Sequence, residues 1–420
     1  MSPIVNDVHS ALNATEVRRV VPVDSLAAIQ QAVAAGRREG AQIAIAGGFH
    51  AMGGQQFRSG GILLDTRPLD GVLGLDRERG VVEVEAGVQW PGLMRFLEGE
   101  QTEDPSPWAI VQKQSGADRL SIAGSISANA HGRGLDLRPM VADVESLVLV
   151  GPDGEARRCS RTENAELFAL AIGGYGLFGV IASVALRLRP RQKLERVVVV
   201  LSVDELMDGF ESRIHDGYVY GDFQFSTDEH SENFLDRGVF SCYRPVDPDT
   251  PVLPGQTALT PEDWQRLLFL AHADKTAAYE AYVGHYLATS GQVYYSDTHQ
   301  MAEYADGYHV ELDHLMGATH RASEMITEIY VPRGRLTDFM AEAAADFREH
   351  GVDLIYGTVR LIRRDTESFL AWAREDYACV IFNLHTVHIE EGELHSAEAF
   401  RRLIDMAIER GGSYYLTYHR

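Results

Sequence analysis

Four glycines packed around one histidine in AGGFHAMGGQQF, residues 46–57, make the stretch of this sequence with the most chemical content. A loop of this kind brings bare backbone N–H groups against a phosphate while holding out one imidazole, His50. A second run, SIAGSISANAHGRG at residues 121–134, is also built of small residues and ends in His131. It suits a backbone lying flat against a planar ligand, so the two loops together point to one extended cofactor that spans both. A third glycine run, residues 174–179, satisfies GxGxxG. That pattern signals a dinucleotide only between a preceding strand and a following helix. Here a helical pattern at residues 165–172 precedes it and a strand pattern at residues 180–188 follows, so a nicotinamide site is rejected.

The elements that position these loops follow from periodicity. Ser25 can cap a helix with Leu26, Ile29 and Val33 on one face, and the glycines at 36 and 40 close it before the short apolar strand that feeds the first loop. Residues 61–65 read as a buried strand, and Val82, Val84 and Ala86 alternate with Glu83 and Glu85 in another. Pro91 starts a short helix. Residues 144–160 form a hairpin with Pro-Asp-Gly at its tip. Past Pro190 the character changes. Strands are expected from residue 194, at 326–333, at 354–364 and at 378–389, with helices at 261–286 and 336–350. The domains are expected at 1–192, 193–400 and 401–420, in an α+β fold whose later part is an antiparallel sheet with helices on one face.

Composition limits the function classes. At 420 residues the chain is too long for one core and predicts about two or three domains. The formal net charge of −23 repels nucleic acid phosphates and anionic lipid surfaces. No window reaches the roughly 20 apolar residues of a membrane span, and the opening residues resemble no export signal, so a cytoplasmic protein is expected. The three cysteines, Cys159, Cys242 and Cys379, are far apart and fit reduced thiols. His309, His314 and His320 match no closed zinc pattern, and no metal is expected.

In their order and spacing, the first loop with the helix and strand before it, LLDT, EVEAG, the SIAGSISANAHGRG run and GGYGLFGVI resemble the FAD-binding flavoproteins of the vanillyl-alcohol oxidase superfamily, also called the p-cresol methylhydroxylase type. GGFH and AHGRG sit nearest the alditol oxidase and aldonolactone oxidoreductase branch. The resemblance implies that Gly47, Gly48, Phe49, Ala51, Met52 and Gly53 hold the FAD pyrophosphate. It also implies that Ser115, Gly116, Ala117, Ser121, Gly124, Ser125, Ser127 and Gly132 line the flavin, that His131 addresses its phosphate or ribityl side, and that Gly179 and Ile181 close the adenine end. His50 falls where relatives link an imidazole covalently to the flavin, which would raise its reduction potential; the alternative is a hydrogen bond to a phosphate or a cap on the loop.

The chemistry implied is hydride transfer from a hydroxyl-bearing carbon of a small polar substrate, a sugar or polyol, with a base taking the hydroxyl proton and oxygen or another acceptor reoxidising the flavin. Relatives carry a Glu-x-Arg where this sequence has Thr358-Val359-Arg360, so Arg360 is retained and the carboxylate is replaced. Asn383 and His385 share a face of their strand, with His385 the candidate general base or substrate contact and His388 pointing away. Tyr418 stands in the segment that returns to the flavin, where relatives often carry a lysine. Family members usually continue past the equivalent of Arg420, so the resemblance implies a completing tail. Two other functions fit the same FAD domain: an NADPH-dependent reductase and a flavin-binding protein without turnover.

Overall fold

The computed structural model describes residues 2–301 and 308–419. Its first half is organised by two sheets. The strands Arg19–Pro22, Ile62–Asp65 and Ile43–Ala46 pair in parallel in that spatial order. The helix Leu26–Glu39 links the outer two. Ser25 caps it by accepting from the Ala28 N–H, and Gly40 ends it in the left-handed conformation, φ 60°. Beside this layer lies a six-stranded antiparallel sheet in which Val180–Pro190 is the central strand. The helix Ala165–Ala171 does precede the glycines at 174–179 and the strand follows them. That is the reverse of the dinucleotide order.

Three residues after the first sheet ends, Lys193–Ser202 opens an eight-stranded sheet with antiparallel pairing throughout. Its alternation explains the second half. On Ala322–Pro332 the residues Met325, Ile329 and Val331 point one way, and on Tyr377–Val387 so do Val380, Phe382 and Leu384. The helices Val203–His215, Leu336–His350 and Glu390–Glu409 bury this apolar face with Phe210, Phe339, Phe347 and Phe400. The opposite face is polar although most of it is buried: Glu324 and Glu328 on one strand, Cys379, Asn383 and His385 on the next, Tyr356, Thr358 and Arg360 on the third.

Part of this polar face is overlain by helices. The stretch at 261–286 that reads as one helix is two, Pro261–Ala273 and Lys275–Ala288. Asp274 breaks it. Its extended backbone, φ −157°, lets its carboxylate cap the second helix by accepting from Ala277.

The two halves are joined at the end of the small-residue run. Asn129, in left-handed backbone at φ 48°, donates to Asp365 at 2.9 Å, and its carbonyl accepts from the Trp372 indole at 3.1 Å. Tyr415 donates to the Ala128 carbonyl at 2.7 Å. The terminal segment first adds Ser413–Tyr414 to the edge of the eight-stranded sheet, then crosses to the first loop, where the Gly53 N–H donates to the Thr417 carbonyl at 2.9 Å.

Candidate active site

A cleft with a cavity volume of about 220 Å³ runs between the first-half loops and the polar face of the large sheet. Its floor is backbone. Residues 46–52 and 114–117 line it, followed by the helix Ile122–Ser127, whose N-cap Ser121 accepts from the Gly124 N–H. Gly48 shows why side chains are excluded: a Cβ there would lie 2.6 Å from the Arg119 carbonyl oxygen. Gly179, at φ 145°, closes the far end with Ile181; a Cβ on it would come within 2.6 Å of the Val150 carbonyl. Lined by short runs of mostly small residues from one loop to the other, this floor fits an elongated phosphate-bearing cofactor with a flat head.

At the entrance His50 Nδ1 lies 2.7 Å from His9 Nε2. Burial, and next to it the neighbouring His50 ring, push the His9 imidazole down to about 3, so His9 is neutral near pH 7. Nothing in the residues around position 9 marks His9, because only the chain's fold brings it back to the loop.

The facing wall carries side-chain chemistry. Asn383 and Ile326 stand on paired strands, with Glu324 and Tyr418 to either side. Glu324 is the group that sequence reasoning missed. It is the cross-strand partner of His385, and its Oε1 lies 3.3 Å from His385 Nδ1 and 3.1 Å from His272 Nε2. Tyr308 donates to Oε2 at 2.6 Å, and His309 Nδ1 stands 3.7 Å from the same oxygen. Burial would raise the Glu324 carboxyl, but the side chains around it, His272 foremost, hold it well below the usual carboxylate range. The wall therefore presents an ionised carboxylate. Burial alone would lower His385, yet its bond to Glu324 leaves it raised.

Several expected residues stand elsewhere. His385 lies beside Glu324 rather than on the cleft surface. His131 is not among the residues that line the cleft: it is buried, with Nε2 3.2 Å from Glu328 Oε2 and Nδ1 3.0 Å from the Gly132 carbonyl. A Cβ on Gly132 would meet the Lys113 carbonyl, and Gly53 ties down the terminal segment. Arg360 is buried near Tyr418 and Glu328, and its Nε and Nη1 have no partner; Thr358 is spent on a bond to the Phe223 carbonyl. Tyr418 does line the cleft and donates to Glu328 at 3.2 Å. Burial, then the Glu328 charge, hold its phenol well above the ordinary range, which makes it a donor rather than a base.

Residues 17–160 match the FAD binding domain family. The chain is 28% identical over 223 residues to an uncharacterized oxidoreductase from the fasciation locus of Rhodococcoides fascians, covering 52% of this chain and 49% of that protein. It is 30% identical over 210 residues to a mitochondrial L-galactono-1,4-lactone dehydrogenase of Oryza sativa subsp. japonica, covering 49% and 35% of the two chains. With an L-gulonolactone oxidase of Mus musculus it shares 25% over 209 residues, 50% of this chain and 45% of the other. These alignments span about half or less of each relative. Among the described residues, no helix is long and apolar enough to cross a membrane.

Proposed function

We propose that this chain, which carries the FAD-binding domain of the vanillyl-alcohol oxidase superfamily, is an oxidoreductase that removes a hydride from a hydroxyl-bearing carbon of a small polyhydroxylated donor, of the sugar or sugar-lactone kind. Bound FAD supplies the hydride acceptor. The observation that carries the reading is Glu324, an ionised carboxylate on the wall facing the main-chain cradle.

Glu324 has the properties of the proton acceptor. It lines the cleft, and its charge is maintained by His272, His385 and Tyr308. The carboxylate absent at Thr358 is thereby supplied from two strands away, across the strand that bears Asn383. Arg360, buried with unpartnered nitrogens near Tyr418, supplies positive charge behind the wall. Asn383 Oδ1, Gln114 Oε1 and Ser115 Oγ are buried in the cleft without partners, an array suited to a molecule rich in hydroxyl groups. The ring of His9 beside His50 is neutral near pH 7, which supports a covalent flavin link through His50.

The test is anaerobic mixing of the yellow protein with sugar lactones, polyols and 2-hydroxy acids. Bleaching of the flavin spectrum by at least one class is expected. Failure of all three, in protein that retains FAD and is bleached by dithionite, would refute the reading. Acid precipitation tests the covalent link, with colour expected to stay in the pellet.

A further inference from the structure

We infer that His272, Glu324 and His385 form a site for one divalent transition-metal ion of the zinc type, set into the cleft wall with His309 beside it. One nitrogen from each of His272 and His385 and one oxygen from Glu324 lie within 4.8 Å of one another. The residues come from the helix Pro261–Ala273 and from two adjacent strands, Ala322–Pro332 and Tyr377–Val387. No sequence spacing could reveal them.

Proton placement makes the case. His272 Nδ1 lies 2.8 Å from the Leu268 carbonyl, and a carbonyl only accepts, so Nδ1 carries the hydrogen. In the neutral ring Nε2 is then a lone pair, and it faces the Glu324 carboxylate oxygen at 3.1 Å. With the ring neutral, two acceptors face each other with both side chains almost wholly buried, and a cation bound by both satisfies them. A ring held by a backbone carbonyl through one nitrogen, with the other turned to a common point, is the arrangement that orients metal-bound histidines. His385 Nδ1 approaches the same oxygen. A single carboxylate balances one imidazolium, whereas one doubly charged ion satisfies the carboxylate and lets both rings stay neutral.

A second, independent feature points to the same place. His309 is buried, its Nδ1 has no hydrogen-bond partner, and it stands 3.7 Å from Glu324 Oε2. Nitrogen and carboxylate donors in this ratio suit zinc, iron(II) or cobalt(II) rather than magnesium or calcium. Binding through Oε1 leaves Oε2, on the Tyr308 side, as the proton acceptor. The ion's open positions would take the donor's hydroxyl oxygen and acidify it. That last step rests on the function proposed above, while the metal site does not.

The test uses the full-length, FAD-loaded protein stripped with a chelator and titrated with zinc chloride, then with cobalt(II) chloride, whose bands lie at longer wavelengths than those of oxidised flavin. One ion per chain is expected. H272A and H385A should each weaken binding by at least about 100-fold and H309A by about 10-fold, at or above the range seen when metal-site partners are removed. H314Q, on the same helix as His309 but away from the cluster, should bind as the parent does. The flavin spectrum reports folding of each variant, and H272Q replaces H272A if the latter loses its flavin. No binding by the stripped parent, or undiminished binding by a flavin-loaded His272 variant, overturns the site. Bleaching by a donor in metal-free protein without any ion uptake would overturn the site and leave the oxidoreductase reading intact. Ion uptake without bleaching would do the opposite.

Discussion

The loop floor and the strand wall face each other across one cleft, yet they are made from different materials. The floor is main chain, contributed by short contiguous segments, and it excludes side chains at Gly48 and Gly179. The wall is side chain, contributed one residue at a time by the helix that bears His272 and by strands about 60 residues apart in sequence: Glu324 and His385 are separated by 61 positions. Recognition of a large, invariant cofactor can be built into a loop. Recognition of a donor and the handling of one proton need groups converging from several elements.

The largest effect should come from the floor. In Gly48→Val the new side chain meets the Arg119 backbone at a position where neither chain has freedom to yield. The purified protein should be colourless and should not take up FAD on reconstitution. A yellow Gly48→Val protein would break the distinction between the two regions. Next in size is the wall. Glu324→Gln should retain FAD and its spectrum but reduce the rate of anaerobic bleaching by about 10²–10⁴-fold, the range for loss of a positioned base. Rapid-mixing absorbance measures it. Equal losses of colour in both variants would mean that Glu324 supports the cofactor site rather than the chemistry.

The same contrast decides what the sequence made legible. Ser25 as a cap, Gly40 as a terminator and the hairpin at residues 144–160 were readable because each is a local rule, and the glycine loops stand out because a run of small residues is itself local. The wall was readable only by halves. Alternation correctly put Asn383 and His385 on one face, but nothing in the residues marks which strand pairs with theirs. Glu324 is therefore invisible until the register Glu324↔His385 is known. Position 358 drew attention for lacking a carboxylate, while the carboxylate stood two strands away. His131 shows the converse: a histidine at the end of a small-residue run reads as a ligand contact, and its partner Glu328 lies 197 positions later.

A smaller effect separates Glu324 from its support. His385→Gln removes one of the groups that hold Glu324 ionised but leaves His272 and Tyr308 in place. Bleaching should slow by about 10-fold, with its acid limb moved to higher pH as the carboxylate becomes easier to protonate. A pH profile of the bleaching rate checks this. An unmoved limb would mean that His385 acts only in packing.

The smallest effect concerns stability in acid, where floor and wall should fail in different windows. His9 has a folded value of about 3 against an ordinary 6.5, so between these limits the unfolded chain binds more protons than the folded one. Its stabilising contribution is complete above pH 6.5 and is lost as the pH falls toward 3, at no more than about 1.4 kcal/mol per pH unit. Glu324 is also depressed, from an ordinary 4.5, so its contribution holds until the pH drops below that value. Thermal unfolding of the FAD-loaded protein should therefore weaken in two stages on acidification, first through His9 at the floor and then through Glu324 at the wall. His9→Asn should flatten the first stage and leave the second. Unchanged acid sensitivity between pH 6.5 and 4.5 in that variant would show that the His9 and His50 pair is solvated enough to protonate freely, and with that the argument for a neutral ring beside His50 would fall.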